Sequence, residues 1–263
     1  MYVGLVWLKM NSFMKGLFLM KAIILVAGYA TRMYPLTENQ PKALLPLRGK
    51  PVIDYILDQI NRLPAIDKIY VVSNTKFYGH FVDWSKNAPT TLPIEVLDDG
   101  TTSNDNRRGA IGDIYFTLTE KNINEDIFII AGDNYFTYDL REQYDLFQQK
   151  GCDTLAGKEI NDIEQLKAFA VAKLDSEGKV LDLVEKPKVP ESNIAIFASY
   201  FYRKDTLPLF NQYLDEGNDP DPPGSFPQWL HKKRDVYAYI MNGDCYDIGT
   251  IAMYEAMNKE DAQ

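Results

Sequence analysis

The chemistry-bearing residues of this chain fall in a few separated places. Gly28, Thr31, Arg32 and Lys42 share one stretch, KAIILVAGYATRMYPLTENQPKALLPLRGKP, from Lys21 to Pro51. A loop of small residues lets backbone N–H groups approach phosphate oxygens, and an Arg and a Lys neutralise their charge. The stretch therefore suits a polyphosphate. Taken alone, it also reads as an ordinary strand-ending turn with solvated cations. Asp133 follows the apolar run DIFIIA, Glu185-Lys186 precedes Pro187, and Asp247 lies in DCYDIGT. Each of these has an ordinary reading too, as a turn, a cap or a solvated charge. Together they offer more. Two carboxylates, Asp133 and Asp247, can hold one Mg²⁺, which prefers carboxylate and phosphate oxygens. Two lysines and an arginine can cover two anionic groups. That set suits the joining of a nucleoside triphosphate to a second phosphate.

Bulk properties narrow the classes. The formal net charge is −9, which disfavours generic nucleic-acid binding. An anionic substrate then needs local cations, a metal ion, or both. Cys152 and Cys245 show neither zinc spacing nor a disulfide framework, so a cytoplasmic setting is expected. His80 and His231 belong to no motif and read as packing or surface residues. Residues 1–19 are apolar but interrupted by Lys9 and Lys15. No apolar run reaches the roughly 18 residues of a membrane span, and no signal-peptide cleavage region follows. The natural start is read as Met20, with residues 1–19 as an upstream extension.

The elements that must position these residues follow from periodicity. Strands are expected at Ala22 to Ala27, Asp67 to Ser73, Pro93 to Leu97, Asp126 to Ala131 and Asp153 to Lys158. Helices are expected between them: Pro51 to Asn61, Lys76 to Asn87, Gly109 to Lys121, and Leu140 to Lys150. In the second helix Phe77, Phe81 and Trp84 are read as core packing. The alternation predicts an α/β fold, a Rossmann-like, mainly parallel sheet flanked by helices. Such sheets bind ligands beyond the carboxyl ends of their strands, where Gly28 and Asp133 fall. The second half predicts a small antiparallel addition. Phe169 to Leu174 and Lys179 to Val184 form a hairpin around DSEG, and Ile194 to Tyr202 is a further strand. Helices at Thr206 to Glu216 and Phe226 to Lys233 flank GNDPDPPGS, a breaker loop. A strand at Val236 to Met241 and a last helix ending near Asn258 complete the chain. Residues 20–263 are expected to form one domain, with 20–160 on the nucleotide and 161–258 on the sugar phosphate.

Set in order, these pieces resemble the sugar-1-phosphate nucleotidyltransferases, the family of glucose-1-phosphate thymidylyltransferase and UTP–glucose-1-phosphate uridylyltransferase. AGYATRMYPLTENQPKALLPLRGKP is similar to the family's G-x-G-T-R-x-x-P-L-T…P-K-x-L-L-P signature. GDNYF, VEKP, SNIAIFASYFY and DIGT follow in the family's order. The resemblance spans about Met20 to Asn258 and implies the following roles. Ala27, Gly28, Tyr29, Ala30, Thr31, Arg32, Lys42, Gly109 and Asp133 hold the nucleotide. Glu185, Lys186, Phe169 and Ala170 hold the sugar phosphate. Arg32, Lys42 and Lys186 serve catalysis, and Asp133 and Asp247 bind Mg²⁺. The implied reaction is in-line attack of a sugar-1-phosphate oxygen on the α-phosphorus, with pyrophosphate leaving. Positioning and charge neutralisation then do most of the catalysis, with no general base.

Departures from the pattern lie in the parts that read base and sugar. Ala30 replaces the second glycine of G-x-G-T-R, so a different loop path is expected, because a methyl group limits positive φ. Ala43 follows the motif lysine where thymidylyltransferases have Gln. Gly109 to Gly112 is the best match to the base-binding turn. Phe169-Ala170 and Phe197-Ala198 replace smaller or more polar residues on the sugar side. Arg107 and Arg108 are read either as reaching the triphosphate or as a solvated loop. The favoured substrates are dTTP or UTP with a sugar-1-phosphate, giving a nucleoside-diphosphate sugar. The alternatives are a cytidylyltransferase for phosphocholine or another non-sugar phosphate, and a catalytically weak nucleotide-binding regulatory subunit. No nucleic-acid or membrane partner is expected. A monomer and a small homo-oligomer both fit, and the extra C-terminal helices of some relatives are not expected.

Overall fold

The structure is a computed structural model, and it describes residues 19–259. The upstream extension read at residues 1–19 thus lies, except for Leu19, outside the described residues. Strand β1 (Met20–Leu25) leads into the opening loop, which carries a short ladder of β2 (Pro46–Leu47) and β3 (Lys50–Pro51). Helix α1 (Val52–Ile60) follows, and its Ile53, Ile56, Leu57 and Ile60 are fully buried on one face. Pro51 is extended and stands just before the helix, not in its first turn.

Next come β4 (Ile66–Ser73), α2 (Tyr78–Ser85), β5 (Ile94–Asp98), α3 (Ala110–Glu120), β6 (Asp126–Ala131), β7 (Asn134–Phe136) and α4 (Leu140–Lys150). The last of these begins at Asp139, whose carboxylate accepts from the Arg141 N–H, and stops at left-handed Gly151. Strand β8 (Asp153–Glu159), α5 (Ile163–Leu166), β9 (Ala170–Leu174), β10 (Val180–Glu185) and β11 (Ile194–Tyr202) build the second half of the sheet. Helices α6 (Leu207–Asp215) and α7 (Ser225–Leu230), strands β12 (Val236–Ile240) and β13 (Cys245–Asp247), and α8 (Ile251–Lys259) end the described chain.

The main sheet runs β10-β9-β11-β6-β1-β4-β5, with β8 on the other stretch of β11 and β12 beyond β8. Strands β5, β4, β1 and β6 are parallel, and β11 reverses the direction against β6, β8 and β9. The expected antiparallel addition is therefore part of this sheet, while the β2–β3 and β7–β13 ladders are separate. Alternation along the strands splits the core by face. Ala22, Ile24, Phe128 and Ile130 pack with α1, α2 and α4 residues such as Ile56, Phe81 and Phe147. Ile23, Ile127 and Ile129 pack with Ile114, Phe210 and Phe226 of α3, α6 and α7. A third cluster ties the opening loop to the end of the chain: Met33, Leu45, Leu47 and Val52 pack with Ile248 and Met257.

Candidate active site

The crevice forms where the strand order turns. Strand β1 lies between β4 and β6, and Leu25 pairs with Ala131 at their carboxyl ends. The chain leaving β1 continues to β4 on one side of the pair and the chain leaving β6 continues towards β8 on the other, which leaves a cleft between them. Gly132 closes the gap at its floor. Its N–H donates to the Leu25 carbonyl at 2.9 Å, and a Cβ there would stand 2.3 Å from Val26 Cγ1. Asp133 follows directly and enters the cleft. Three cavities adjoin: one of about 410 Å³, one of about 250 Å³ and one of about 200 Å³. Asp133 lines all three.

The cavity of about 410 Å³, the largest of these three, is walled by Gly28, Tyr29, Ala30, Thr31, Arg32, Lys42 and Asp133, all singled out from the sequence. Ala30 adopts φ 47° and ψ 41°. The methyl group thus does not divert the backbone from the left-handed region, contrary to expectation. The cost is about 1–2 kcal/mol, and local bonds hold the turn: Thr37 Oγ1 donates to the Ala30 carbonyl at 2.7 Å, and the Met33 N–H donates to it at 2.9 Å. Tyr29 is buried, with its ring 6.4 Å from that of Phe77, so its bulk is taken up by packing. Arg32 is exposed at the cavity wall. Lys42 is buried, and its Nζ donates to Asp133 Oδ2 at 2.8 Å. A buried ammonium needs such a partner. Behind the loop, Arg48 Nε donates to the Met257 carbonyl at 3.0 Å, so α8 braces it.

Asp247 reaches this region through backbone pairing. It stands opposite Asn134 in the β7–β13 ladder, and Gly249 lines the largest cavity. The Asp247 side chain lies outside the described part of the structure. Among the described residues no group of three or more His, Cys, Asp or Glu is arranged to hold a metal. Of the two acids read as metal ligands, Asp133 is the one whose side chain is described, and it lines the cleft.

The 250 Å³ cavity is lined by Asp133, Asn134, Phe169, Glu185, Lys186, Phe197, Tyr200 and Gly224. Burial raises the Glu185 carboxyl above its usual range, and the Lys186 ammonium pulls it back. Lys186 Nζ is 3.8 Å from Glu185 Oε1, and Lys186 itself sits at φ 45°. Non-glycine residues in this region cluster at functional sites, where surrounding structure holds them. Here the Lys186 N–H donates to the Phe169 carbonyl at 3.0 Å. Ala170 does not line this cavity. It is buried in the core on the α3 face, beneath Gly224. Its expected place at the sugar phosphate is corrected accordingly: its strand position turns it into the packed layer.

The loop read only as a breaker proves to be a wall of the cleft. Asp221 lines both the largest and the smallest cavity, and Gly224 lines the third. The Ala110 N–H donates to the Asp221 carbonyl at 3.2 Å, and the Ile111 N–H to that of Pro220 at 2.9 Å. These cover the first free N–H groups of α3. Gly109 permits the approach: it has φ +81°, and a Cβ there would lie 2.5 Å from Asp221 Cα. Gly109 lines the smallest cavity with Ala27, Gly28 and Asp113. At the far end of the loop, a Cβ on Gly224 would stand 2.0 Å from Glu185 Oε2. Of the two arginines, Arg107 lines the largest cavity but is engaged by Asp221. Arg108 turns away: its Nε donates to the Asp99 carbonyl at 2.6 Å, and its guanidinium stands 4.7 Å from the Phe116 ring centre. Asn104, Arg107, Asp113, Asp221 and Gly224 are site residues that no motif marks. The opposed charges of NRRG and NDPDP were the available signal.

A family model described as nucleotidyl transferase matches residues 21–263. The chain is 29% identical over 248 residues to a putative mannose-1-phosphate guanyltransferase of Sulfolobus acidocaldarius, covering 92% of this chain and 63% of that one. It is 31% identical over 232 residues to the bifunctional protein GlmU of Methanocaldococcus jannaschii, covering 88% of this chain and 51% of that one. It thus spans between half and two thirds of these two relatives. A UDP-glucose pyrophosphorylase complexed with UDP-glucose has the same fold, with TM-score 0.78 and 21% identity over 92% of this chain and 97% of that one. Fold, signature and family match agree, and the chain belongs to the nucleotidyl transferase family.

Proposed function

We propose that this protein condenses a nucleoside triphosphate with a sugar-1-phosphate, releasing pyrophosphate and a nucleoside-diphosphate sugar. The observation that carries this reading is the position of Asp133, common to three adjoining cavities and bonded to Lys42. The largest cavity has the small-residue loop and Arg32 to wrap a triphosphate. The 250 Å³ cavity has Lys186 for a second phosphate and Glu185 to accept from sugar hydroxyls. On this reading residues 20–160 carry most of the nucleotide side and 161–258 most of the sugar-phosphate side, with Asp221 reaching across. Uridine or thymidine triphosphate is the favoured donor, on the resemblance of the opening signature.

Arg32 neutralises the phosphates that leave, and Lys42 those around the reacting centre. Lys186 holds the attacking phosphate in line. A phosphate dianion is already nucleophilic, so alignment and charge stabilisation supply the rate. The donor set fits Mg²⁺, which takes one or two carboxylates and completes its shell with phosphate oxygens and water. Asp133 would supply one carboxylate and Asp247 the other. When bound, the ion neutralises charge on the triphosphate.

One observation favours a second reading. Phe169 and Phe197, with ring centres 4.8 Å apart, wall the acceptor cavity beside the Glu185 carboxylate. Aromatic faces with an anion suit a quaternary ammonium such as that of phosphocholine. Pyrophosphate release across four nucleoside triphosphates and a panel of sugar-1-phosphates and phosphocholine separates the readings. Release with a sugar-1-phosphate supports the first, and release only with phosphocholine the second. No release with any pair, with nucleotide still bound, favours a regulatory subunit.

A further inference from the structure

One acid in the cleft is used by nothing described so far. Asp113, in the first turns of α3, is only 5% exposed and lines the cavity of about 200 Å³ beside Gly28 and Gly109. Its Oδ1 has no hydrogen-bond partner among the described residues. Asp99 lies against it and is buried as well. Asp99 is well supplied: Oδ1 accepts from Thr101 N and Thr101 Oγ1, both at 2.7 Å. Facing two donors, Asp99 meets them as an acceptor. Two buried carboxyls side by side disfavour a second charge, so Asp113 holds the proton and turns it to Asp99. Burial first, then the Asp99 charge, push Asp113 up to about 8. With its proton so placed, Asp113 has only an acceptor to offer the cavity. An unmet buried acceptor is costly in the free protein, and a donor arriving with a ligand removes that cost.

We infer that Asp113 reads the nucleobase, accepting an N–H from its edge and so selecting bases whose ring nitrogen there bears hydrogen (uracil, thymine, guanine) over those with a bare nitrogen (cytosine, adenine). This rests on the nucleotidyltransferase reading given above. A bare ring nitrogen would set two lone pairs against each other. A site built to hydrogen-bond one substrate rejects an analogue that leaves its buried group unpaired. The discrimination expected from one such contact is about ten- to a hundred-fold.

The test compares the wild type with Asp113→Ala and Asp113→Asn. Affinity for UTP, dTTP, GTP, CTP and ATP is measured calorimetrically, and kcat/KM for each with one accepted sugar-1-phosphate. The wild type is expected to favour the first three by tenfold or more. Asp113→Ala flattens that preference by a similar factor and leaves KM for the sugar phosphate unchanged. Asp113→Asn keeps it, because the amide donates to Asp99 and presents its oxygen to the cavity. A wild type that prefers ATP or CTP overturns the inference, as does an unaltered ranking in Asp113→Ala or a flattened one in Asp113→Asn. Should Asp113→Ala not fold, the wild-type ranking and Asp113→Asn decide. Turnover with unaltered selectivity removes the role of Asp113 alone. Absence of turnover with every nucleotide removes the nucleotidyltransferase reading, and the binding ranking still judges Asp113.

Discussion

Arg107 and Asp221, 114 positions apart, meet in a two-point ion pair: Nε to Oδ1 and Nη2 to Oδ2, both at 2.8 Å. Both side chains are 44% exposed, so the pair contributes only about 0–1 kcal/mol to stability. Its consequence is positional. It anchors the loop whose carbonyls cover the Ala110 and Ile111 N–H groups and whose Gly224 abuts Glu185. Arg107→Ala is therefore expected to shift the melting temperature by no more than a few degrees while raising KM for the nucleotide several-fold. Asp221→Ala should do the same, and the double variant should cost no more than either single one. Additive losses would show that the two act separately.

Lys42 and Asp133 form the pair at the centre of the cleft. Unlike the Arg107 pair, this one includes a side chain only 10% exposed. Replacing Lys42 by Met leaves Asp133 without its cationic partner and removes charge neutralisation at the reacting phosphates. The expected loss in kcat is on the order of 10²-fold or more, by comparison with removal of one strong electrostatic stabiliser. Asp133→Asn should lose as much. Near-normal turnover of Asp133→Asn at saturating Mg²⁺ would refute its assignment as a metal ligand.

Much of this cleft was legible in the sequence because it depends on chain order. The strands at Asp126–Ala131 and Ile194–Tyr202 and the helix at Leu140–Lys150 have the predicted bounds. Alternation of strands and helices, followed by Gly28 and Asp133 at strand ends, implies a shared crevice. What stayed hidden depends on long-range contacts between irregular segments. The acidic loop near Asp221 has no periodicity, so its docking on Gly109 and Glu185 leaves no local pattern. Asp113 sits on a helix face where an acid looks solvated until α3 is packed against Asp99. Ala30 looked unable to take a left-handed turn because its local propensity was visible and its bond from Thr37 was not.

Gly224 supplies a direct test of the acceptor side. A methyl group there meets Glu185 Oε2 at 2.0 Å and the Ala170 methyl at 2.7 Å. Neither neighbour can yield freely, since Ala170 is in the core and Glu185 is largely buried. Gly224→Ala should destabilise the fold by about 1–3 kcal/mol. It should also raise KM for the sugar phosphate more than for the nucleotide, because Glu185 is displaced. An equal effect on both constants would place the loop's influence elsewhere.

The Asp99–Asp113 pair predicts a pH dependence of stability. The Asp113 carboxyl goes from an ordinary value of 3.8 in the unfolded chain to about 8 in the folded one. Between those values the folded protein holds a proton that the unfolded chain has lost. Stability therefore falls as pH rises through that window, and the full penalty is present above it. Asp113→Asn removes the titration and keeps a donor toward Asp99. Relative to the wild type, the variant should gain little near pH 4, gain progressively to pH 8, and level off beyond. The move from 3.8 to about 8 sets an upper limit of about 6 kcal/mol on the total gain. Asp153, raised to about 6 chiefly by burial, titrates in the same window. It is common to both proteins and cancels in the difference. Urea denaturation of both at pH 5 and pH 8.5 measures the effect. A difference independent of pH would mean that Asp113 is ionised throughout and that the proton is not shared with Asp99.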